Sequence, residues 1–149
     1  MSPAISDIDL LLRTLEPTLN DGVYAYTSLP RGTDLSALRA IATVREAEGL
    51  TAIVREEEAL AAKLRVLFRA AWITLTVHSD LQAVGLTAAF SRALADAGIS
   101  CNVIAGAYHD HIFVPVEAAA SALRTLKSLQ QRALLAAEAR PPVETDTAS

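Results

Sequence analysis

The feature that most restricts the fold is a β-forming apolar run near the middle of the chain. Residues 66–77 read Val-Leu-Phe-Arg-Ala-Ala-Trp-Ile-Thr-Leu-Thr-Val. From Trp72 to Val77 nearly every residue is β-branched, aromatic or otherwise apolar, which suits a pleated, packed surface. A run this continuous marks a central strand covered on both faces. Next comes a helical stripe of Leu86, Phe90, Ala93, Leu94 and Ala97, closed by Gly98 just past the helix end. Residues 99–105 and 111–116 then form a hairpin, with residues 106–110 as its turn. A last helix begins at Glu117 and runs to about Leu135, with Ala119, Ala122, Leu123, Leu126 and Ala133 on one stripe. Strand, helix, strand, strand, helix is the split β-α-β pattern less its final strand.

The first half offers a similar order. Ile5, Ile8, Leu12, Leu15 and Leu19 predict a helix over residues 6–16, with Ser6 and Asp9 as a capping box and Pro17 as the stop. Asn20-Asp21-Gly22 is a turn, residues 23–29 a strand, and Pro30 to Thr33 a break. Residues 40–46 and 50–55 read as a hairpin over Glu48-Gly49, with Gly49 expected to supply a positive φ. A short helix over residues 56–64 leads into the central strand. The missing helix of this half is expected, shortened, near residues 34–38. The expected fold is therefore α+β, ferredoxin-like (βαββαβ): two interlocked repeats sharing one antiparallel sheet, with helices on one face. The expected division is residues 1–67, residues 68–137, and a disordered tail over residues 138–149.

Composition narrows the function. The chain is 52% apolar and 20% charged, so it can build a core. Its net charge is −4 and no run of Lys or Arg stands out, which argues against nucleic acid and against an anionic membrane surface. The single cysteine, Cys101, excludes an internal disulfide and a thiolate-rich zinc site, and reads as a core residue. No stretch reaches the roughly 20 apolar residues of a membrane span. With no basic leader at the N-terminus, a cytoplasmic location is expected.

The stretch His78-Ser79-Asp80 to Val84-Gly85-Leu86-Thr87 joins the central strand to its helix. Glycine costs about 1 kcal/mol relative to alanine inside a helix, so its presence at a helix start calls for another reason. It can admit a ligand, whose carboxylate would meet the free amides of the first turn, or it can relieve packing against a neighbouring strand. His109, Asp110 and His111 mark the facing hairpin. They can rim a ligand pocket, order the turn, or, with His78, hold a metal. Asn102, one residue from Cys101, faces away from the helices. Glu46 and Glu48 share a strand face but sit at a hairpin tip, where charges are ordinarily solvated.

These segments resemble the ACT domain. Val84-Gly85-Leu86 stands where that family carries a Pro-Gly loop, and residues 98–104 stand for its second strand. Three segments are also similar to a small group of stand-alone tandem ACT-like proteins of uncharacterised function: residues 46–51, 83–89 and 109–115. The resemblance spans about residues 8–130. It departs at Val84, which replaces proline, and in the first half, which lacks a comparable glycine loop. It implies a non-enzymatic regulatory or sensor module that holds a small molecule, an amino acid, and acts as a homodimer without cofactor. The implied site is His78, Ser79, Asp80, Val84, Gly85, Leu86, Thr87, Asn102, His109, Asp110 and His111. The amides near Gly85 would take the carboxylate, and Asp80 or Asn102 the ammonium. The alternatives are an interaction protein regulating an enzyme in trans, and an enzyme using His78, His109 and His111 with a metal.

Overall fold

A computed structural model of the chain describes residues 7–77 and 84–139. The sequence-predicted central strand is β5 (Phe68–Thr76), and it is the axis of the molecule. One edge of β5 pairs with β7 (Asp110–Pro115), which pairs in turn with β6 (Asn102–Ala105). Its other edge is shared. Residues 68–70 pair with β2 (Tyr24–Leu29), and residues 73–76 pair with β1 (Glu16–Leu19). Beyond β2 lie β4 (Leu50–Arg55) and β3 (Ala42–Arg45). Every pairing is antiparallel, and the order is β3-β4-β2-β5-β7-β6 with β1 beside β5.

That register explains where the missing strand went. The C-terminal unit is β5, helix α3 (Leu86–Asp96), β6, β7 and helix α4 (Ala119–Glu138), the last reached through a 3-10 turn at Val116–Ala118. Its fourth strand is β1, supplied from the N-terminus. The N-terminal unit is β2, β3, β4 and helix α2 (Glu56–Ala61), and its fourth strand is the beginning of β5. Helix α1 (Ile8–Thr14) also joins the C-terminal unit, since Leu11 packs in the cluster of Phe90, Leu94 and Leu126. Helix α1 and strand β1 thus complete the C-terminal unit in space although they lie in the first half of the sequence.

Several local expectations need correction. Helix α1 ends at Thr14, and Pro17 and Leu19 lie in β1. Proline is tolerated there because β1 is an edge that pairs only with β5. The cap of α1 is Asp7, whose carboxylate accepts from the amides of Asp9 and Leu10; Ser6 lies outside the described residues. Gly49 does not have a positive φ. Its glycine is required by space, because a Cβ there would stand 2.7 Å from the Leu29 carbonyl oxygen. Residues 34–38 form a turn, with Leu38 N–H donating to Leu35 O, and no helix. The tail beyond residue 139 lies outside the described residues. Gly98 follows α3 with φ +74°, as a left-handed C′ residue should.

The sheet has two different faces. Ala71, Ile73, Leu75, Ile112 and Val114 point into the core under α1, α3 and α4. On the first half, Ala25, Leu29, Leu50, Ala52 and Val54 pack against Ala59 of α2 and against Leu35, Leu38 and Ala40 of the β2–β3 connection. Alternation sends Tyr24, Tyr26, Ile53, Ala70, Trp72 and Phe113 to the opposite face. The sheet curls around this second face, so that residues of β3 and β6 line one shared cleft.

Candidate functional site

Two places collect the chemistry. The first is the end of the C-terminal unit where β5 leaves for α3. Gly85 occupies the position before the helix with φ +103°, a left-handed conformation that glycine alone adopts without strain. The turn itself is therefore a sufficient reason for the glycine. A Cβ there would meet the Ile8 side chain at an ordinary 3.6 Å. Having no side chain, Gly85 cannot cap the helix, which leaves the first-turn amides without the usual partner. Leu86 is buried in the core, whereas Val84 is 86% exposed and Thr87 is exposed. His78, Ser79 and Asp80 lie outside the described residues.

Asp110 stands at the same end. The sequence reading treats it as a turn residue, but it begins β7, paired with Leu75 of β5 and Ala105 of β6. Its side chain shares the helix-facing side with Ile112 and Val114 and is only 7% exposed. Among the described residues no hydrogen bond or ion pair reaches its carboxyl group. Burial pushes its pKa up, against a smaller pull from His111. An almost buried carboxyl group without a partner is costly, and a cation that fits beside it would be held. His109 Nδ1 is buried with no hydrogen-bond partner among the described residues.

The second place is the concave face of the curled sheet. Trp72 and Phe113 stack at 6.0 Å and 18°, and Tyr24 meets Trp72 edge-on at 5.3 Å. Tyr26 lies against Phe113 and Phe68, and burial pushes its hydroxyl up to about 12, with Cys101 adding to the effect. One polar chain crosses this aromatic floor. The Asn20 amide donates to Thr74 Oγ1 at 2.9 Å, Thr74 Oγ1 lies 3.3 Å from His111 Nδ1, and Trp72 Nε1 donates to the same nitrogen at 3.1 Å. Accepting at Nδ1 places the ring proton of His111 on Nε2. Burial, and then His109, hold the pKa of His111 below the ordinary value, while Asp110 opposes them. A cleft of about 430 Å³ opens here, lined by Ala42, Trp72, Ile104, His111 and Phe113.

The candidate residues thus divide. Gly85, Leu86 and Asp110 belong to the helix side, while His111 and Asn102 face the concave side, where the Asn102 amide donates to Phe113 O at 3.4 Å. His109 lies one residue before β7 and close enough to His111 to depress its pKa. Among the described residues, no group of three or more His, Cys, Asp or Glu is placed to hold a metal ion. The aromatic floor was not singled out from sequence as a site. Its signal was the i, i+2 spacing of Tyr24 and Tyr26, which the alternation of a strand puts on one face.

A sheet in which two four-stranded units share their middle strand, with the helix layer on the other side, defines a tandem ferredoxin-like protein. Two family models describing ACT domains match it in series, over residues 3–71 and 68–128. The chain belongs to the ACT domain family, whose members are generally amino-acid-binding regulatory modules. It is 48% identical to a crystallised Vibrio cholerae protein of unknown function, described as a possible transport protein. That match covers 83% of this chain and 95% of the other, with a TM-score of 0.77. An Agrobacterium tumefaciens protein superposes with a TM-score of 0.62 at 13% identity, covering 78% of this chain and 89% of its own. The regulatory subunit of aspartate kinase from Thermus flavus does so at 0.55 and 12%, covering 78% and 96%. These last two share the fold. No curated protein matches the chain. No described helix is long and apolar enough to cross a membrane.

Proposed function

We propose that the protein is a regulatory or sensor module that binds an amino acid at the Gly85 end of its C-terminal unit. The observation that carries this reading is Asp110. A carboxyl group 7% exposed, with no hydrogen bond or ion pair among the described residues, suits the ammonium of a ligand. The uncapped amides at the start of α3 suit its carboxylate. Membership of the ACT family makes an amino acid the natural ligand class. Asp110 thereby takes the role that sequence reading gave to Asp80 or Asn102. The regulation would act on a partner enzyme, and two copies would pair as a homodimer, which sedimentation analysis measures directly.

The test is a thermal-shift screen of all twenty L-amino acids against wild type and Asp110→Asn. A ligand at 100 times its Kd stabilises by about 2.7 kcal/mol. One chemical class should raise the melting temperature of wild type, and the variant should lose that rise. No shift with any amino acid, from a folded protein, would remove the proposal.

A further inference from the structure

The concave face of the sheet holds space that the site at Asp110 does not use. The cleft of about 430 Å³ beside Trp72 and His111 adjoins a second of about 350 Å³, which runs between the outer strands β3 and β6. Ala42 and Ile104 line both, so the two form one depression. Phe113 at its floor is fully buried, and the residues packed with it all belong to the sheet. Either part lies within the roughly 300–1,000 Å³ of small-molecule pockets.

Its lining carries no charge. Among the described residues, none of those that line either part is Asp, Glu, Lys or Arg. A charged guest would give up its water there without a partner of opposite sign. Two hydrogen-bonding groups are left over. His111 Nδ1 accepts from the Trp72 indole, so its Nε2 carries a proton, and among the described residues that proton has no acceptor. Gly106 keeps this edge of the ring open. It stands two residues beyond Ile104, so alternation would direct a side chain there to the concave face. Its φ is not positive, and the glycine answers to space instead: a Cβ would stand 2.9 Å from His109 O and 3.3 Å from His111 Nε2. At the other end Tyr26 lines the second part, and among the described residues its hydroxyl makes no hydrogen bond. Burial pushes its pKa up to about 12, so it remains a neutral donor. The imidazole, held below its ordinary pKa, is neutral above pH 6.5.

We propose that this cleft binds a flat, uncharged aromatic molecule whose carbonyl oxygen accepts from His111 Nε2. Trp72 and Phe113 suit a planar ring, the uncharged lining disfavours a zwitterion, and the imidazole N–H selects an acceptor. The Tyr26 hydroxyl offers a second donor to a guest that extends into the adjoining part. The site is separate from that at Asp110, because successive residues of β7 face opposite sides of the sheet.

Trp72 is the sole tryptophan and lines the cleft, so its emission reads occupancy. The full chain is titrated at about pH 7.5 with benzamide, benzoate and toluene. Benzamide should give a saturable change in emission. Benzoate has the same shape but must enter charged, and it should bind at least about tenfold more weakly. His111→Phe should weaken benzamide by about tenfold while leaving toluene, which has no acceptor, as tight as before. Ala42→Leu, on an edge strand, should abolish the response to both while keeping the wild-type circular dichroism spectrum. None of the three probes carries an ammonium, so the outcome does not depend on the reading of Asp110. A response of wild type to benzamide that never saturates would overturn the proposal. So would benzoate binding as tightly as benzamide, or unchanged benzamide affinity in either variant.

Discussion

The two units share one topology and differ in what covers it. Over the C-terminal unit, α1, α3 and α4 bury Leu11, Leu86, Phe90, Leu94 and Leu126 against β5 and β7. Over the N-terminal unit there is one short helix and a connection through residues 30–41, which contributes Leu35, Leu38 and Ala40 as partly buried cover. The helix that would follow β2 is absent. Its loss leaves loop where a helix start would be, and the corner beside Gly32 opens. In this chain, therefore, the same strand order builds one unit under three helices and one under a short helix and a loop.

The largest effect expected from that contrast is in the cores. Phe90 is fully buried, and Phe90→Ala should cost about 3–5 kcal/mol in urea unfolding, the range for deleting a buried aromatic ring. Leu38 is only partly buried, and Leu38→Ala should cost less than about 2 kcal/mol. Equal losses would mean that the loop side is as well packed as the helix side, and the contrast would fail.

Much of the firm unit was legible in sequence because its signals are local. The stripe from Leu86 to Ala97, the terminating Gly98 and the long run of β5 each carry a period or a punctuation mark within a few residues. Strand β1 carries neither. It is four residues long, contains Pro17, and exists because β5 offers an edge to pair with. The need for glycine at position 49 is not local, since the nearness of Leu29 O is set by the pairing of β2 with β4. Asp110 looked like turn chemistry because burial is not written in a residue's neighbours. Ala42 and Ile104 stand far apart in the chain, and only the fold brings them to one cleft.

Asp110 sharpens the comparison on a smaller scale. Burial raises its folded pKa above the unfolded value, so the protonated form is favoured in the fold. Its contribution to stability is present below the unfolded pKa and is lost as pH rises through the folded pKa. At neutral pH, Asp110→Asn should therefore stabilise the ligand-free protein, by on the order of 1 kcal/mol. The gain should shrink on acidification. The matching residue of the other unit, Leu50, has no such dependence. A variant less stable than wild type at pH 7 would show that the carboxylate is satisfied, and would weaken the case for a ligand ammonium.

The smallest effect lies where the units meet. Tyr24 and Tyr26 come from one unit, Phe113 and His111 from the other, and Trp72 from the strand they share. Trp72 is the sole tryptophan, so its emission reports this junction alone. His111 Nδ1 can accept from the indole only while neutral. Its folded pKa lies below the ordinary 6.5, so the neutral ring is favoured in the fold. That contribution is present above the unfolded value and is lost as pH falls through the folded one. Acidification below pH 6.5 should first lower stability with tryptophan emission unchanged, and only then change the emission as the ring takes its proton. His111→Gln should abolish the emission step. An emission change centred above 6.5 would mean that the pull of Asp110 on the ring outweighs burial and His109.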